Sequence, residues 1–291
     1  MKDPEKLIEV IEKYVVYPYK KLLLKEIQAS IRLKTTGNLC SDLGKTKLGG
    51  SPDLPKNKNW PRSKYYNTPL SFLGQINCNE IKELDELNAL PKEGLLYFFF
   101  NLDSGDDGKV IFSREVRELE RAIPPHEFKE QKTTFLKRLL TGKPKKRILK
   151  ESEVNIYKEY NFPSWDSLRV ALIQKEAKTD ISPINAFEEG FFENDTEESE
   201  TTSNHHLLGN YNGIQDEFHE LNFIDDEVKE HDNLSLEQMQ KALKWKLLFQ
   251  FDSDNNLEMS WGDWGRIYFF IHEDDLKNEN FDNIKISADS Y

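Results

Sequence analysis

Two stretches of the chain repeat one pattern of apolar and polar positions. Each stretch contains an apolar run that ends near a glutamine and then a second run that opens on a glycine. The four runs are LSFLGQIN (70–77), GLLYFFF (94–100), KLLFQFD (246–252) and GRIYFFI (265–271). When Gln75 is aligned with Gln250, the apolar positions of the runs coincide. Blocks that recur in the same order are typical of an internal duplication, so we predict two similar β-sheet units.

The pattern within each run indicates its place in a sheet. Residues 96–100 are apolar on both faces, which is typical of a central strand covered on both sides. Asp107 and Gly108 stand between two apolar runs, and this dipeptide favours a tight hairpin. We therefore predict mainly antiparallel pairing.

The first part of the chain shows a helical pattern. Between Lys6 and Leu33, apolar residues recur at spacings of three and four. Pro18 cannot donate a backbone hydrogen bond, so we expect a break near Tyr17. We predict two amphipathic helices that dock on the sheet, with a partner-binding face as the alternative.

These patterns predict an α+β fold in one domain over residues 1–291, built from an internal duplication of mainly antiparallel β-sheet units, with N-terminal amphipathic helices. The predicted parts are N-terminal helices (1–35), a first β repeat (36–125), a connector (126–180), an acidic loop (181–204) and a second β repeat (205–291). Both an ordered and a disordered state of the acidic loop stay open.

Charge is distributed unevenly in the middle of the chain. Residues 131–150 contain eight Lys or Arg and no acid, whereas residues 181–230 contain fourteen Asp or Glu and only Lys229. Such runs are commonly hydrated surface. Alternatively, the acidic run binds a basic protein partner. The candidate partner-binding residues are Glu188, Glu189, Glu193, Asp195, Glu197, Glu198 and Glu200.

The net charge of the chain excludes some classes of binding partner. The formal net charge is −12, which argues against broad binding to nucleic acid or to an anionic membrane surface. The sequence shows neither a signal-peptide pattern nor an apolar run of membrane-spanning length, so we expect a cytoplasmic protein. Cys40 and Cys78 are then expected to be reduced thiols.

No sequence motif selects a catalytic centre. The chain lacks the GxSxG, HExxH and GxGxxG patterns. Asp252, Asp254 and Asn256 have the spacing of a calcium loop, but Leu257 replaces the glycine that such a loop needs at its sixth position. We therefore predict no catalytic residue, no metal site and no cofactor.

The repeated runs supply the best polar candidates for a ligand site. Gln75 and Gln250 occupy matched positions in apolar strands, and a buried amide needs hydrogen-bond partners. They either satisfy one another structurally or point into a groove between the repeats. Trp261 and Asp263, in the loop before the last apolar run, are candidates to line the same groove.

An ordered set of motifs gives the chain a family resemblance. LGGSPDLP (48–55), PLSFLGQIN (69–77), GLLYFFF, LLFQFDSD (247–254) and WGDWGRIYFFI (261–271) stand in that order. In these motifs the chain resembles the YwqG-like family, bacterial cytosolic proteins without an established function. The resemblance implies one duplicated α+β domain and no catalytic residue to transfer. HLLGN at 206–210 departs from the Gly-Gly turn of the first repeat.

The sequence thus favours a binding or interaction protein, with a basic protein partner held by the acidic run. The alternative is an enzyme or small-ligand-binding protein with its site in the groove between the repeats. A structural homodimer is a third interpretation, and the oligomeric state stays open.

Overall fold

Antiparallel strands are the main regular elements of the residues that the structure describes. The computed structural model describes residues 4–14, 20–128, 147–164, 167–177, 203–215, 218–224 and 234–291. The strands of these residues are β1 (Gln28–Thr35), β2 (Lys47–Leu48), β3 (Asp53–Pro55), β4 (Ser71–Asn77), β5 (Leu95–Phe100), β6 (Gly108–Ser113), β7 (Leu119–Arg121), β8 (Ser152–Asn161), β9 (His206–Leu207), β10 (Trp245–Asp252), β11 (Arg266–His272) and β12 (Ile284–Asp289).

The helices of the described residues are short. They are α1 (Pro4–Tyr14), α2 (Lys20–Leu24), α3 (Cys78–Ile81), α4 (Leu168–Ala177), α5 (Leu236–Ala242) and α6 (Glu273–Lys277), with 3₁₀ turns at His126–Phe128 and His219–Phe223. Ser235 caps the start of α5 by accepting a hydrogen bond from the Gln238 N–H. No helix in the described ranges is both long and apolar enough to cross a membrane.

Ten strands form one sheet in the order β6-β5-β4-β2-β8-β1-β9-β10-β11-β12, and β3 and β7 form a separate pair. We call β2 and β4–β6 the first group, and β9–β12 the second group. The long antiparallel pair β1–β8 joins the two groups. β8 pairs with β2 of the first group, whereas β1 pairs with β9 of the second. The N-terminal strand β1 therefore pairs with the second group, and β8, which follows the first group in the sequence, pairs back with the first group.

The large sheet curls until it is nearly closed. A Cβ atom added to Gly108 on β6 would lie 2.5 Å from Cδ1 of Ile286 on β12, so the two outermost strands approach each other. The interior is apolar and is shared by both groups. The Phe98 ring lies 4.6 Å from the Phe249 ring and 5.3 Å from the Phe269 ring, between centroids. Packing of this kind joins the two groups into one core.

The two groups use the same strand register. Gln75 lies opposite Tyr97 in the β4–β5 pair, and Gln250 lies opposite Tyr268 in the β10–β11 pair. β4 and β10 each carry a register shift two or three residues before the glutamine. The predicted runs at 70–77, 94–100, 246–252 and 265–271 are therefore confirmed as strands.

The turns that follow β2 and β9 also match in backbone conformation. Gly49 and Gly50 have φ of 69° and 70°, and Leu208 and Gly209 have φ of 57° and 74°. Leu208 thus adopts the left-handed conformation that a glycine adopts in the first group, although such a conformation is unfavourable for a leucine. Its side chain is 6% exposed and belongs to the main core cluster. Burial of this side chain offsets the backbone cost.

The helical prediction for the N-terminal region is wrong after Leu24. Residues 28–35 form β1 instead of continuing a helix. Ile31 and Leu33 are buried and alternate with Arg32, a period-two pattern that the spacings of three and four concealed. Pairing with both β8 and β9 supplies the hydrogen bonds that fix the strand. The expected break near Tyr17 falls outside the described residues.

Two further strands lie where the sequence indicated none. β8 lies within the predicted connector, and β12 lies beyond the last apolar run of the predicted second β repeat. Helix α6 lies between that run and β12. β8 is rich in polar residues and is only partly buried, so its sequence carries no strong apolar alternation.

Candidate functional site

A cleft of about 740 Å³ opens at one end of the large sheet, where β1 begins and β8 ends. Residues 86–90, which follow α3, form one wall. Residues 208–211, the start of β10, the end of β11 and helix α6 form the opposite wall. The cleft therefore lies between a loop of the first group, which connects β4 to β5, and the second group. Its size is in the range of sites for small molecules.

The walls of the cleft combine aromatic side chains with unusual backbone. The aromatic lining residues are Tyr160, Tyr211, Trp245 and Phe270. Three non-glycine residues of the lining, Asn88, Leu208 and Glu279, have positive φ of 50°, 57° and 52°. Such conformations are held only where the surrounding structure fixes them, and they concentrate at ligand sites and turns.

Glu220 is a buried acid of the cleft. It belongs to the 3₁₀ turn at His219–Phe223 and is 5% exposed. The Tyr211 hydroxyl donates a 3.0 Å hydrogen bond to its Oε2 atom. Burial raises the pKa of the Glu220 carboxyl above its ordinary value, more than Tyr211 and nearby charges lower it. Glu220 is therefore shifted toward its neutral form.

Lys246 is a charged residue in an otherwise apolar strand. Its Nζ atom donates to the Leu243 carbonyl at 2.6 Å and lies 3.7 Å from the Glu273 carboxylate. Burial lowers the pKa of the Lys246 ammonium group, and the positive charge of Arg169 lowers it further. A negative charge nearby has the opposite effect and favours the charged ammonium form.

Gln75 and Gln250 perform the same structural task in their separate groups. Gln75 Oε1 accepts a 2.8 Å hydrogen bond from the Asp53 N–H, and Gln250 Oε1 accepts a 2.9 Å hydrogen bond from the Asn212 N–H. Their amide NH₂ groups donate to the carbonyls of Lys45 and Asn204. Both side chains are fully buried. Each glutamine thus fixes the loops around its own short strand.

Trp261 and Asp263 lie apart from the cleft. The half-buried Trp261 ring packs against Phe100, with ring centroids 5.2 Å apart. Asp263 is exposed, and its carbonyl accepts a hydrogen bond from the Tyr291 N–H. The lining of the cleft includes neither these two residues nor the two glutamines. A ligand site formed by the four residues stays a prediction.

The acids with calcium-loop spacing are bound by protein groups. The Arg266 guanidinium donates to Asp252 at 2.8 Å, and Thr35 donates to Asp254 at 2.7 Å. Burial alone would raise the pKa of Asp254, but hydrogen bonds from His205 and Thr35 hold it below its usual range. Within the described ranges, no group of three or more His, Cys, Asp or Glu side chains is arranged to hold a metal ion.

A serine, a histidine and an aspartate meet beside β12. His219 Nε2 lies 3.1 Å from Asp289 Oδ2, and Ser287 Oγ lies 2.9 Å from His219 Nδ1. Burial would raise the pKa of Asp289, but His219 holds it below the usual range. An ionised Asp289 selects the tautomer with hydrogen on Nε2, so Ser287 donates to Nδ1. His219 and Ser287 are absent from the cleft lining, and their hydrogen bonds hold the 3₁₀ turn against β12.

The other residues of interest are the acidic candidates for partner binding and the two cysteines. The seven acidic candidates for partner binding lie outside the described residues. Cys40 and Cys78 are both buried and free. Burial raises the pKa of the Cys78 thiol to about 12, which makes it a poor nucleophile.

The sequence did not identify Lys246, Glu220 or Arg169 as members of one site. A lysine between Trp245 and Leu247 in an apolar strand is a detectable signal, because an isolated charge in such a strand needs a reason. No sequence feature indicates that Glu220 approaches it, since only the folded chain brings their segments together.

Comparison with known proteins places the chain in a family. A comparison with curated proteins finds no match. A family model described as a domain of unknown function (DUF1963) matches residues 46–289, most of the chain from the loop before β2 to the end of β12. YwqG-like proteins are members of this family, in agreement with the resemblance of the motifs. The chain therefore belongs to the DUF1963 family of domains of unknown function.

Proposed function

We propose that the protein binds a small molecule in the cleft between the two groups of strands. The cleft itself is the observation that carries this proposal. Its volume of about 740 Å³, its aromatic walls and its few buried charges are the properties of small-molecule sites. The proposed role is binding, because binding is the role that the size and lining of the cleft support directly.

We further infer that the two groups descend from one duplicated unit. The shared register, the matched left-handed turns and the equivalent hydrogen bonds of Gln75 and Gln250 support this inference. A boundary between two packed units is a common place for a ligand site, because side chains from both units converge there.

A neutral fluorescent probe tests the cleft directly. We expect N-phenyl-1-naphthylamine to bind the wild-type protein saturably, with enhanced emission. Ala29 lies on β1 and lines the cleft, so Ala29→Trp should fill the cavity and remove saturable binding. Ile123→Trp is the matched control, because Ile123 is 84% exposed and is not part of the lining.

Circular dichroism spectra of both variants establish that each is folded. Loss of probe binding in Ala29→Trp alone supports the proposal. Equal binding by folded Ala29→Trp and wild-type protein, or no saturable binding by the wild type, contradicts it.

A second candidate function is binding of a basic protein partner. It is favoured by the charge of residues 181–230, with fourteen acids against one lysine. Association driven by such a surface should weaken as salt concentration rises.

Charge reversal tests this second candidate. The seven acids between Glu188 and Glu200 are replaced by lysine, and affinity capture from native cytosol is followed by mass spectrometry. The control reverses seven exposed acids of the described residues. A basic protein retained by wild type and control but lost by the reversed chain supports the proposal. If every captured protein is retained, the acidic run is not the binding surface.

A further inference from the structure

The cationic and acidic side chains that line the cleft differ in how closely they are paired with opposite charges. Four cationic and four acidic residues line it: Lys25, Arg169, Lys246 and Lys277, and Glu86, Glu220, Glu273 and Glu279. Equal numbers would leave no net charge if they paired within the cleft. Lys246 and Glu273 lie 3.7 Å apart within the lining, but Glu86, Glu279 and Arg169 form ion pairs with residues outside it. These outside partners alter the balance of charge in the cleft.

Two of the acids are neutralised from outside the cleft. Lys158 lies 2.6 Å from the Glu86 carboxylate, and Arg114 forms an ion pair with Glu279. Neither cation belongs to the lining. Glu220 is shifted toward its neutral form by burial, as described above. Glu273, by contrast, forms its ion pair with Lys246, inside the lining.

The cations of the cleft are less fully neutralised. Arg169 pairs at 3.0 Å with Glu26, which is not part of the lining. Lys246 Nζ lies 3.7 Å from Glu273, farther than in a close charge-assisted hydrogen bond. Lys25 and Lys277 are exposed and have no ion pair within the described residues. The three lysines of the lining thus lack a close partner carboxylate, whereas Glu86 and Glu279 each have a partner cation outside the lining.

Helix α6 brings two of these cations to the same wall. Glu273 and Lys277 are four residues apart on α6, so they occupy one face of the helix. Lys246 approaches Glu273 from β10, which places both ammonium groups on the α6 side of the cleft. Trp245 and Phe270 belong to the apolar lining of the same cleft.

We propose that the ligand of the cleft is a small organic anion, whose charged group binds Lys246 and Lys277 and whose apolar body packs against Trp245 and Phe270. This inference rests on the proposed small-molecule function and adds the chemical class of the ligand. The chain has a net charge of −12, and a locally cationic cleft is what an anion needs in order to bind such a protein.

Two fluorescent probes with the same skeleton but different charge distinguish the effect of ligand charge from that of ligand shape. 8-Anilinonaphthalene-1-sulfonate has the skeleton of N-phenyl-1-naphthylamine with an added sulfonate. We expect wild-type protein to bind the sulfonate more tightly than the neutral probe. Lys246→Met should weaken sulfonate binding about tenfold, the size of one lost charge-assisted contact, and leave neutral-probe binding unchanged. Lys277→Met should act in the same direction.

Lys109→Met is the matched control, because Lys109 is an exposed lysine outside the lining. If both probes bind the wild type equally, or if Lys246→Met and Lys109→Met have equal effects, the ligand is not an anion. In that case, saturable probe binding that is lost in Ala29→Trp still supports the proposal that the cleft binds a small molecule. Failure of both probes to bind saturably contradicts the small-molecule function itself.

Discussion

The charges around β2 form a closed ring of four residues, of which Lys47 and Asp53 are fully buried. Lys47 is fully buried and contacts Glu151 at 2.7 Å and Asp53 at 3.7 Å. Arg121 contacts the same two acids, Asp53 at 2.9 Å and Glu151 at 3.3 Å. Each cation therefore bridges both carboxylates. Removing one member would leave one uncompensated charge beside the buried Lys47 or Asp53, which is more costly than the ring is stabilising.

Glu220 shows the opposite arrangement, in which a buried acid has no cation in hydrogen-bond contact among the described residues. Because its pKa is raised in the folded state, the unfolded chain ionises first as pH rises above the ordinary value of 4.5. The folded state then loses stability with increasing pH. Glu220→Gln removes this titration and keeps an acceptor for Tyr211. We expect the variant to gain stability over wild type as pH rises from 4 to 8.

Urea denaturation at a series of pH values measures this difference. Glu93→Gln is the control, since Glu93 is exposed and should behave like wild type. A stability difference between Glu220→Gln and wild type that does not change with pH would show that burial does not perturb this carboxyl.

Only part of this residue-level chemistry could be predicted. The two strand glutamines were detectable because each is an amide in an apolar run, which requires partners. The cleft charges were not detectable, because Lys246, Glu273 and Arg169 are separated in the sequence and the loops that bring them together have no regular pattern.

At the scale of the element, the short strands β2 and β9 depend on the turns that follow them. The Gly49 N–H donates a 2.7 Å hydrogen bond to the Leu73 carbonyl, which ties the first turn to β4. In the second turn the Leu208 N–H donates to the Leu248 carbonyl of β10. Equivalent bonds in both turns hold each two-residue strand between its neighbours.

Gly49→Ala should disrupt the first turn. Gly49 has φ of +69°, and an added Cβ would lie 2.1 Å from the Lys150 carbonyl oxygen. The left-handed conformation alone costs about 1–2 kcal/mol for alanine, and the clash adds to it. We expect the free energy of unfolding to fall by about 2 kcal/mol or more.

Chemical denaturation of Gly49→Ala and of Ser51→Ala, a neighbouring substitution without these constraints, measures the effect. Equal stability of the two variants would mean that the turn tolerates a side chain at residue 49, as the second turn does at Leu208.

Elements with strong apolar patterns were predictable, and elements fixed by pairing were not. β4, β5, β10 and β11 are almost wholly buried, so their sequences are predominantly apolar. β1 contains Ser30 and Arg32, which are buried by contacts with other segments, and its apolar spacing also fits a helix. Tertiary pairing decided its conformation.

At the scale of the whole molecule, the sheet closes around a core that belongs to neither group alone. Phe98 comes from the first group, and its two ring partners Phe249 and Phe269 come from the second. We therefore expect the described core to unfold as one cooperative unit.

Phe98→Ala should destabilise both groups together. Deleting a fully buried phenylalanine costs about 3–5 kcal/mol, because packing contacts are lost and a cavity remains. Tryptophan fluorescence and far-ultraviolet circular dichroism, followed during urea denaturation, should report the same midpoint. Phe128→Ala is the control, since Phe128 is only half-buried and should cost less. Separate midpoints for the two probes would contradict a shared core.

The exchange of β1 and β8 between the groups has a consequence for biosynthesis. β1 leaves the ribosome before its partner strands β8 and β9, which lie far along the chain. β1 therefore has no strand to pair with while the first group is being translated. β2 likewise has one unpaired edge until β8 has been synthesised. The nascent chain therefore exposes open strand edges, which promote association with other chains. Productive folding of this protein is a late event that awaits its second half.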